Sequence, residues 1–591
     1  MMKTSVKTDV LIIGGGGAGF RAAIGAREKG ANALLLSKGP LARCGATPMA
    51  GADFTLDGLS LSKMGFPGES KDTRDKFLND MLTNGFFLNN QKLCDQYIEN
   101  APDRLQELLD WGWKIIGSEE RAVYGSGIGI MDALLKQAKR VGVSFMEDIF
   151  VLDLTVQDGR VTGAVGLDVK TGEFIIFESK SVVIATGGWH KAFWPNTGMR
   201  DLSGDGIAMA HRAGADIGNM EFITFCANVL YEPPHCRGSL ATYLFHYLFG
   251  GSLNNSRGEP FLEKFDPLVQ KMGTSTEWNK CFISFASALE AKAGKTGPLG
   301  GVFYGLGDVP FSEFEEKASQ WMPNWKYKAL DLSGIAARFK AGETVEVGPA
   351  VEYFDGGIVV NEQFETDVAG LFAAGECVLG PFGANRVFAA ITEMLVHGAD
   401  AGQNAADYAL SAQGAKAENV ALKAMMEAAL TPLERGGDES PAQLRRRIQE
   451  RAHADLSPVR TGSELSAFID FLEGIKQTEL PNLGVSSKSR VYNKGWFDVL
   501  ELKNMVHLLE AAARSALART ESRGVHFRED FPDTDNEGWL QESIVRLVNG
   551  QMDINHRPVT VTKTALPTGV QSYQETLKQM MAAHSDIGGG H

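Results

Sequence analysis

Two glycine clusters and a handful of separated polar side chains carry most of the chemical content of this 591-residue chain. Gly14-x-Gly16-x-x-Gly19 directly follows an apolar run, Asp9 to Ile13, and precedes an alanine-rich stretch, Phe20 to Lys29. Between a strand and a helix, such glycines permit a tight turn and let a pyrophosphate approach the helix N-terminus. Far along the chain, Gly370 to Arg386 reads as a short apolar strand, a glycine-rich loop and the start of a helix with an arginine in its first turns. That arrangement aims backbone N–H groups and a cation at one spot, which suits an anionic or electron-rich ligand. A fold must bring the two clusters together. The acidic residue often found at the end of the second strand is absent, with Ser37-Lys38 in its place, so NAD is not favoured.

Behind these residues the pattern is α/β. Asp9 to Ile13, the Gly14–Gly19 turn, the helix and Ala33 to Leu36 form a βαβ unit. Val151 to Asp153, Val161 to Asp168 and Glu173 to Glu178 predict a small antiparallel sheet, and Ser181 to Ala185 returns to a buried strand closed by Thr186-Gly187. The segment 236–345 is irregular and suits an inserted capping domain. The expected division is a discontinuous Rossmann-like domain (1–235 and 346–418), an α+β cap (236–345), a helical domain (419–540) and a tail (541–591). Helices are predicted at Ala421 to Leu430, Ala442 to Ala454, Leu465 to Ile475 and Leu500 to Arg519, then weak strand character after about 540 and disorder over Ser585 to His591.

Composition narrows the function classes. Hydrophobic residues at 44% and charged residues at 22% are ordinary for a globular protein. A net charge of −15 argues against nucleic acid as a partner. The first strand begins too early to leave room for a signal peptide, and no apolar run is long enough for a membrane span. The six cysteines form no Cys-x-x-Cys pair, so neither a disulfide framework nor a metal site is expected. The expectation is a cytoplasmic enzyme, peripheral on the cytoplasmic face of a membrane if its partners place it there.

With these motifs in order, the chain resembles the flavoprotein subunits of the succinate dehydrogenase/fumarate reductase family, which includes aspartate oxidase and adenylylsulfate reductase. The resemblance rests on Asp9 to Gly19, Leu36-Ser37-Lys38, Ala185-Thr186-Gly187-Gly188, Gly204-Asp205-Gly206, Gly370 to Arg386, the region from Tyr492-Asn493 to Leu502, and Glu521 to Pro532. It implies FAD held by Gly14, Gly16, Gly17, Ala18, Gly19, Ser37, Lys38, Gly45, Ala46, Thr47, Gly51, Ala185, Thr186, Gly187, Asp205, Glu376, Arg386, Ile391 and Thr392. After Arg386 the family's usual Gly-Gly-Asn-Ser-Leu is replaced by Phe388 to Thr392. Many members attach FAD to a histidine, and Gly45 stands where that histidine would be, so the FAD is expected to be non-covalent.

The same resemblance implies a substrate side with departures. Arg386 is retained. One family histidine becomes Cys226, the other becomes Glu352, and the catalytic arginine aligns with Lys280. Glu352 and the nearby Asp355 would put two carboxylates where a dicarboxylate should sit. Like charges about 4 Å apart in a partly buried site cost on the order of 4 kcal/mol, so succinate and fumarate are expected to be poor substrates. The expected function is the FAD-carrying catalytic subunit of an oxidoreductase complex. It would exchange hydride with another organic substrate and electrons with an iron–sulfur subunit, and that partner could link it to a membrane or quinone complex. Two alternatives remain open: a true fumarate reductase, succinate dehydrogenase or adenylylsulfate reductase-like enzyme with a shifted pocket, and an electron-relay subunit with no organic substrate of its own.

Overall fold

A computed structural model describes residues 4–51, 53–275, 278–321, 331–386, 389–413, 419–436 and 440–583. The predicted disorder of Ser585 to His591 falls outside the described residues.

At the centre lies a five-stranded parallel sheet in the order Leu371–Ala373, Ser181–Ile184, Val10–Ile13, Ala33–Leu36, Ser144–Met146. The first four of these are unbroken apolar or small-residue runs, buried on both faces as parallel strands require. The register is what joins the two distant motifs. Ile13 pairs with Leu36 and with Ile184, and Ile184 pairs with Ala373. Four strands therefore end level, and the loops at Gly14, Ser37, Ala185 and Ala374 open at one carboxyl edge, where α/β sheets bind ligands.

The helix Gly17–Glu28 packs against Ala390–Ser411, the helix that follows Arg386. The backbones nearly touch: a Cβ on Gly402 would lie 2.1 Å from the Ala22 carbonyl oxygen, and one on Gly398 would lie 2.7 Å from that of Ala18. This contact brings the start of the second helix beside the start of the first.

The predicted antiparallel sheet is present as Ile149–Gln157, Arg160–Asp168 and Phe174–Glu178, with Thr4–Lys7 added in parallel. The sheet of the inserted segment reaches beyond the expected 236–345. Its long strands are Ile223–Leu230 and Val345–Phe354, followed outward by Val302–Gly305 and Ser252–Asn254. The helical segments are Asn419–Glu434, Pro441–Asp455, Gly462–Gly474 and Lys494–Ala518.

The weak strand character expected after 540 is a regular hairpin, Gln541–Val548 with Gln551–Pro558. Asn549 and Gly550 both have positive φ, the turn that two-residue hairpins favour. This hairpin pairs with Ile217–Gly218, so the tail belongs to the body of the protein.

Candidate functional site

A cavity of about 380 Å³ opens at the carboxyl edge of the parallel sheet. Gly14, Gly16, Gly17 and Ala18 line it from the first motif, Lys38 from the second strand, and Gly45, Ala46, Thr47 and Gly51 from the loop after it. Ala185, Thr186, Gly187 and Asp205 line it from the middle of the chain, and Glu376 and Ile391 from the last motif. Three expected cofactor residues stand just behind the wall. Gly19 is needed for packing, since a Cβ there would lie 1.8 Å from the Gly14 carbonyl oxygen. Ser37 Oγ donates to the Gly39 carbonyl at 2.7 Å, and Thr392 Oγ1 donates to the Thr55 carbonyl at 3.0 Å.

The wall suits a dinucleotide on its own chemistry. The N-cap Gly16 of the helix Gly17–Glu28 has no side chain and the first turn has no acidic residue, so although Thr47 Oγ1 accepts from Gly17 N–H at 3.1 Å, the positive end stays suited to phosphate. Among the described residues, nothing lies within 4 Å of where a Cβ on Gly45 or Gly51 would project. Glu376 accepts from Gly188 N–H at 3.1 Å through Oε2, while its Oε1 and the Thr186 hydroxyl are buried without a hydrogen-bond partner. These are acceptors and donors of the kind a ribose or ribityl chain would satisfy. Cys44 also lines the cavity, 3.1 Å from Ser37 Oγ, and burial pushes its thiol pKa up.

Lys38 is held by three groups. Its Nζ donates to Ser203 Oγ at 2.7 Å and to Asp205 Oδ2 at 2.8 Å, and it contacts Glu501. Burial alone would lower its pKa, but Asp205 and Glu501 raise it. Asp205 also accepts from Asn504 Nδ2 at 2.7 Å. Glu501 and Asn504 come from the helix Lys494–Ala518, so the helical domain braces the cofactor wall. Those two were not singled out from the sequence; their one-turn spacing on a helix reads as an ordinary polar face.

Lys280, Glu352 and Tyr353 form a second group in the lining, which also includes Asp53, close enough for its charge to act on Tyr353, and Leu240. Lys280 Nζ lies 3.0 Å from Glu352 Oε2 and 5.0 Å from the centre of the Tyr353 ring. The Glu352 carbonyl accepts from His190 Nε2 at 2.6 Å. Burial first, then the Glu352 charge, raises the Tyr353 phenol pKa and keeps it protonated.

Arg386 stands behind the wall, its guanidinium 5.8 Å from the centre of the cavity-lining Tyr353 ring, and Cys226 is placed elsewhere. Neither is among the described residues that line the cavity. Arg386 is 1% exposed, bonded to Glu393 through Nη1 at 2.5 Å and 3.7 Å from Asp355, with its guanidinium over the Phe382 ring. Burial opposes its charge, and Glu393 and Asp355 restore it. Cys226 is fully buried with Val229, Tyr231 and Ala350. Asp355 also differs from the expectation of a second anion in the pocket. It accepts from the Thr224 hydroxyl at 2.9 Å, and burial pushes its pKa up to about 7. Glu352 carries its own counter-charge in Lys280, so the expected pair of bare carboxylates is not formed.

A parallel-sheet domain with a glycine-lined crevice at a helix start and a capping sheet beside it defines a dinucleotide-binding α/β protein. Comparison with known proteins carries this further. Residues 9–391 match the FAD binding domain family, and residues 445–573 match the fumarate reductase flavoprotein C-terminal family. One component of the fumarate reductase (CoM/CoB) of Methanothermobacter marburgensis is 29% identical over 548 residues, covering 89% of this chain and 95% of that protein. The succinate dehydrogenase flavoprotein subunit of Rickettsia bellii is 27% identical over 600 residues, covering 94% and 96%. The solved structure of Mycobacterium smegmatis Sdh1 in complex with UQ1 superposes with a TM-score of 0.84 at 28% identity, covering 95% and 96% of the two chains. The chain belongs to the FAD-dependent succinate dehydrogenase/fumarate reductase flavoprotein family. It is an FAD-binding oxidoreductase.

Proposed function

We propose that this protein is the catalytic flavoprotein subunit of a succinate dehydrogenase/fumarate reductase-like complex whose organic substrate is neither succinate nor fumarate. The observation that carries this is the Lys280–Glu352 pair at the cavity end, together with the removal of Arg386 into a buried pair with Glu393. A dicarboxylate needs two cationic or donor groups for its two carboxylates. Lys280 is already neutralised, and Arg386 does not line the cavity.

Bound FAD supplies an acceptor or donor of two electrons. Gly14 to Ala18 and the helix start would hold its pyrophosphate, and Glu376 with Thr186 would hold its hydroxyl groups. Gly45 offers no side chain to bond the flavin and burial keeps the adjacent Cys44 in its thiol form, which supports a non-covalent FAD. Glu352 would take up or deliver a proton at Oε2 with Lys280 Nζ beside it at 3.0 Å, and Tyr353 orients the substrate from its ring face. Electrons then pass to an iron–sulfur subunit. This reading is supported by the relatives, which are named as subunits of larger enzymes. No helix among the described residues is long and apolar enough to cross a membrane. We place the protein in the cytoplasm, at the membrane through its partners if at all.

The test is anaerobic assay of the purified FAD-loaded protein with succinate plus an artificial acceptor, and with fumarate plus a reduced dye. Turnover at a rate typical of enzymes, above about 1 per second, overturns the exclusion of dicarboxylates. Acid precipitation should leave a colourless pellet and a yellow supernatant. Affinity purification from the native cell should bring down a cysteine-rich iron–sulfur protein.

A further inference from the structure

The charges around the cavity are unbalanced in one direction. Asp53, Asp201, Asp205, Glu352 and Glu376 line it against two lysines, Lys38 and Lys280. Both lysines are matched in place, Lys38 by Asp205 and Glu501 and Lys280 by Glu352. Asp201 accepts from the Gly45 N–H at 2.7 Å, and Glu376 accepts from that of Gly188.

Asp53 differs from these. It begins the strand Asp53–Thr55, is exposed in the cavity, and has no ion-pair partner among the described residues. Its charge is felt at the Tyr353 hydroxyl along with those of Glu352 and Glu376. A second feature points the same way. Glu352 is 9% exposed, and its Oε2 has Lys280 as an ion-pair partner but no hydrogen bond. An anion entering here meets one bare carboxylate and one only just neutralised. A cation meets a carboxylate without a counter-ion, beside an aromatic ring whose face attracts positive charge. Leu240 supplies an apolar wall for a hydrocarbon stem.

We propose that the substrate end of this cavity receives a molecule bearing a protonated amine, with the ammonium lying against Asp53. The inference rests on the reading of this end as the organic-substrate site and narrows it to a chemical class.

The experiment uses the FAD-loaded protein, anaerobically, and follows the flavin absorbance on titration with n-butylammonium, butyramide and butyrate. These probes share size and differ in charge. The expected result is n-butylammonium binding at least about tenfold (~1.4 kcal/mol) more tightly than butyrate. Asp53→Asn should abolish that preference while leaving butyramide unchanged, and Asp53→Glu should restore it. Flavin content and circular dichroism of each variant establish that it is folded. Equal or tighter binding of butyrate overturns the proposal, as does a preference that survives Asp53→Asn, or no saturable response to n-butylammonium. The outcomes separate from those of the dicarboxylate assay. Fumarate turnover with an Asp53-dependent cation preference sinks the earlier reading and keeps this one. No dicarboxylate turnover with a charge preference indifferent to Asp53 does the reverse.

Discussion

Substituting Asp355 tests the electrostatics beneath the cavity most directly. Asp355 is fully buried, with Arg386 at 3.7 Å, the Thr224 hydroxyl at 2.9 Å and one carboxylate oxygen without a hydrogen bond. Burial lifts its pKa from 3.8 to about 7 against the pull of Arg386, because Glu393 already claims that guanidinium. The sign follows from proton counting. Between 3.8 and about 7 the folded protein holds a proton that the unfolded chain has lost, so stability falls as pH rises through that window and is level on either side. Each factor of ten in the proton equilibrium is worth about 1.4 kcal/mol, so the full interval corresponds to a loss of ~4 kcal/mol.

Asp355→Asn has no proton to lose, and its amide oxygen can still accept from Thr224. The variant therefore sheds this pH-dependent loss. It gains on the wild-type protein by a few kcal/mol between about pH 4 and pH 7, whatever constant offset the lost attraction to Arg386 adds. The assay is the denaturant midpoint of the transition that releases flavin, measured for pH-matched pairs of proteins. Carboxylates elsewhere titrate in both proteins and cancel in the difference. Infrared difference spectra should show a protonated carboxylic acid below neutral pH in the wild type that the variant lacks. A constant separation between the two proteins across this range would refute the reasoning, since Asp355 would then be ionised throughout.

Three other outcomes follow from the same geometry. Lys280→Met leaves the Glu352 carboxylate buried without its cation, a loss of about 3–5 kcal/mol for a broken buried pair; the Lys280→Met/Glu352→Gln double variant should recover most of it in a thermal melt, and equal melting of the two would show the pair to be solvated. Glu376→Gln removes a charged acceptor from the wall and should weaken FAD retention by about 10- to 100-fold, read from the fluorescence of released flavin. Cys226→Ala removes a thiol packed among Val229, Tyr231 and Ala350 and bonded to the Ala227 carbonyl, and should cost about 1 kcal/mol of stability while leaving the rate of flavin reduction unchanged; a lost rate would return Cys226 to the chemistry.

Much of the cofactor half was legible in the sequence because it is built from local signals. Val10–Ile13, Ser181–Ile184 and Leu371–Ala373 are short apolar runs stopped by glycine, and that alone marks buried parallel strands ending at a crevice. The long helices after residue 419 announce themselves by period. What escaped was contact between segments far apart in the chain. Glu501 and Asn504 support Lys38 and Asp205 from a helix whose first turns carry the family resemblance but no cofactor assignment. The hairpin at Asn549-Gly550 did have a local sign in its turn residues, one that weak flanking strand propensity obscured.

Arg386 shows that a retained residue can stand behind the wall of the cavity its motif serves. The motif preserves its identity and its place at the end of a glycine-rich loop, yet direction and charge are decided by neighbours the motif does not contain. Glu393, one turn into the following helix and 1% exposed at its side chain, takes the guanidinium. Gly380 leaves room for that carboxylate: a Cβ there would stand 2.5 Å from Glu393 Oε1. Asp355 stands on the other side. With two carboxylates around one guanidinium, the cluster is balanced only when one carboxyl keeps its proton, and burial selects Asp355 for that. A cation so enclosed acts on the cavity from behind its wall, with its guanidinium 5.8 Å from the centre of the Tyr353 ring and its charge acting on Glu376. Lys280, Glu352 and Asp53 stand in the cavity wall itself, and the substrate class proposed above needs no loss of the arginine, only partners that hold it behind that wall.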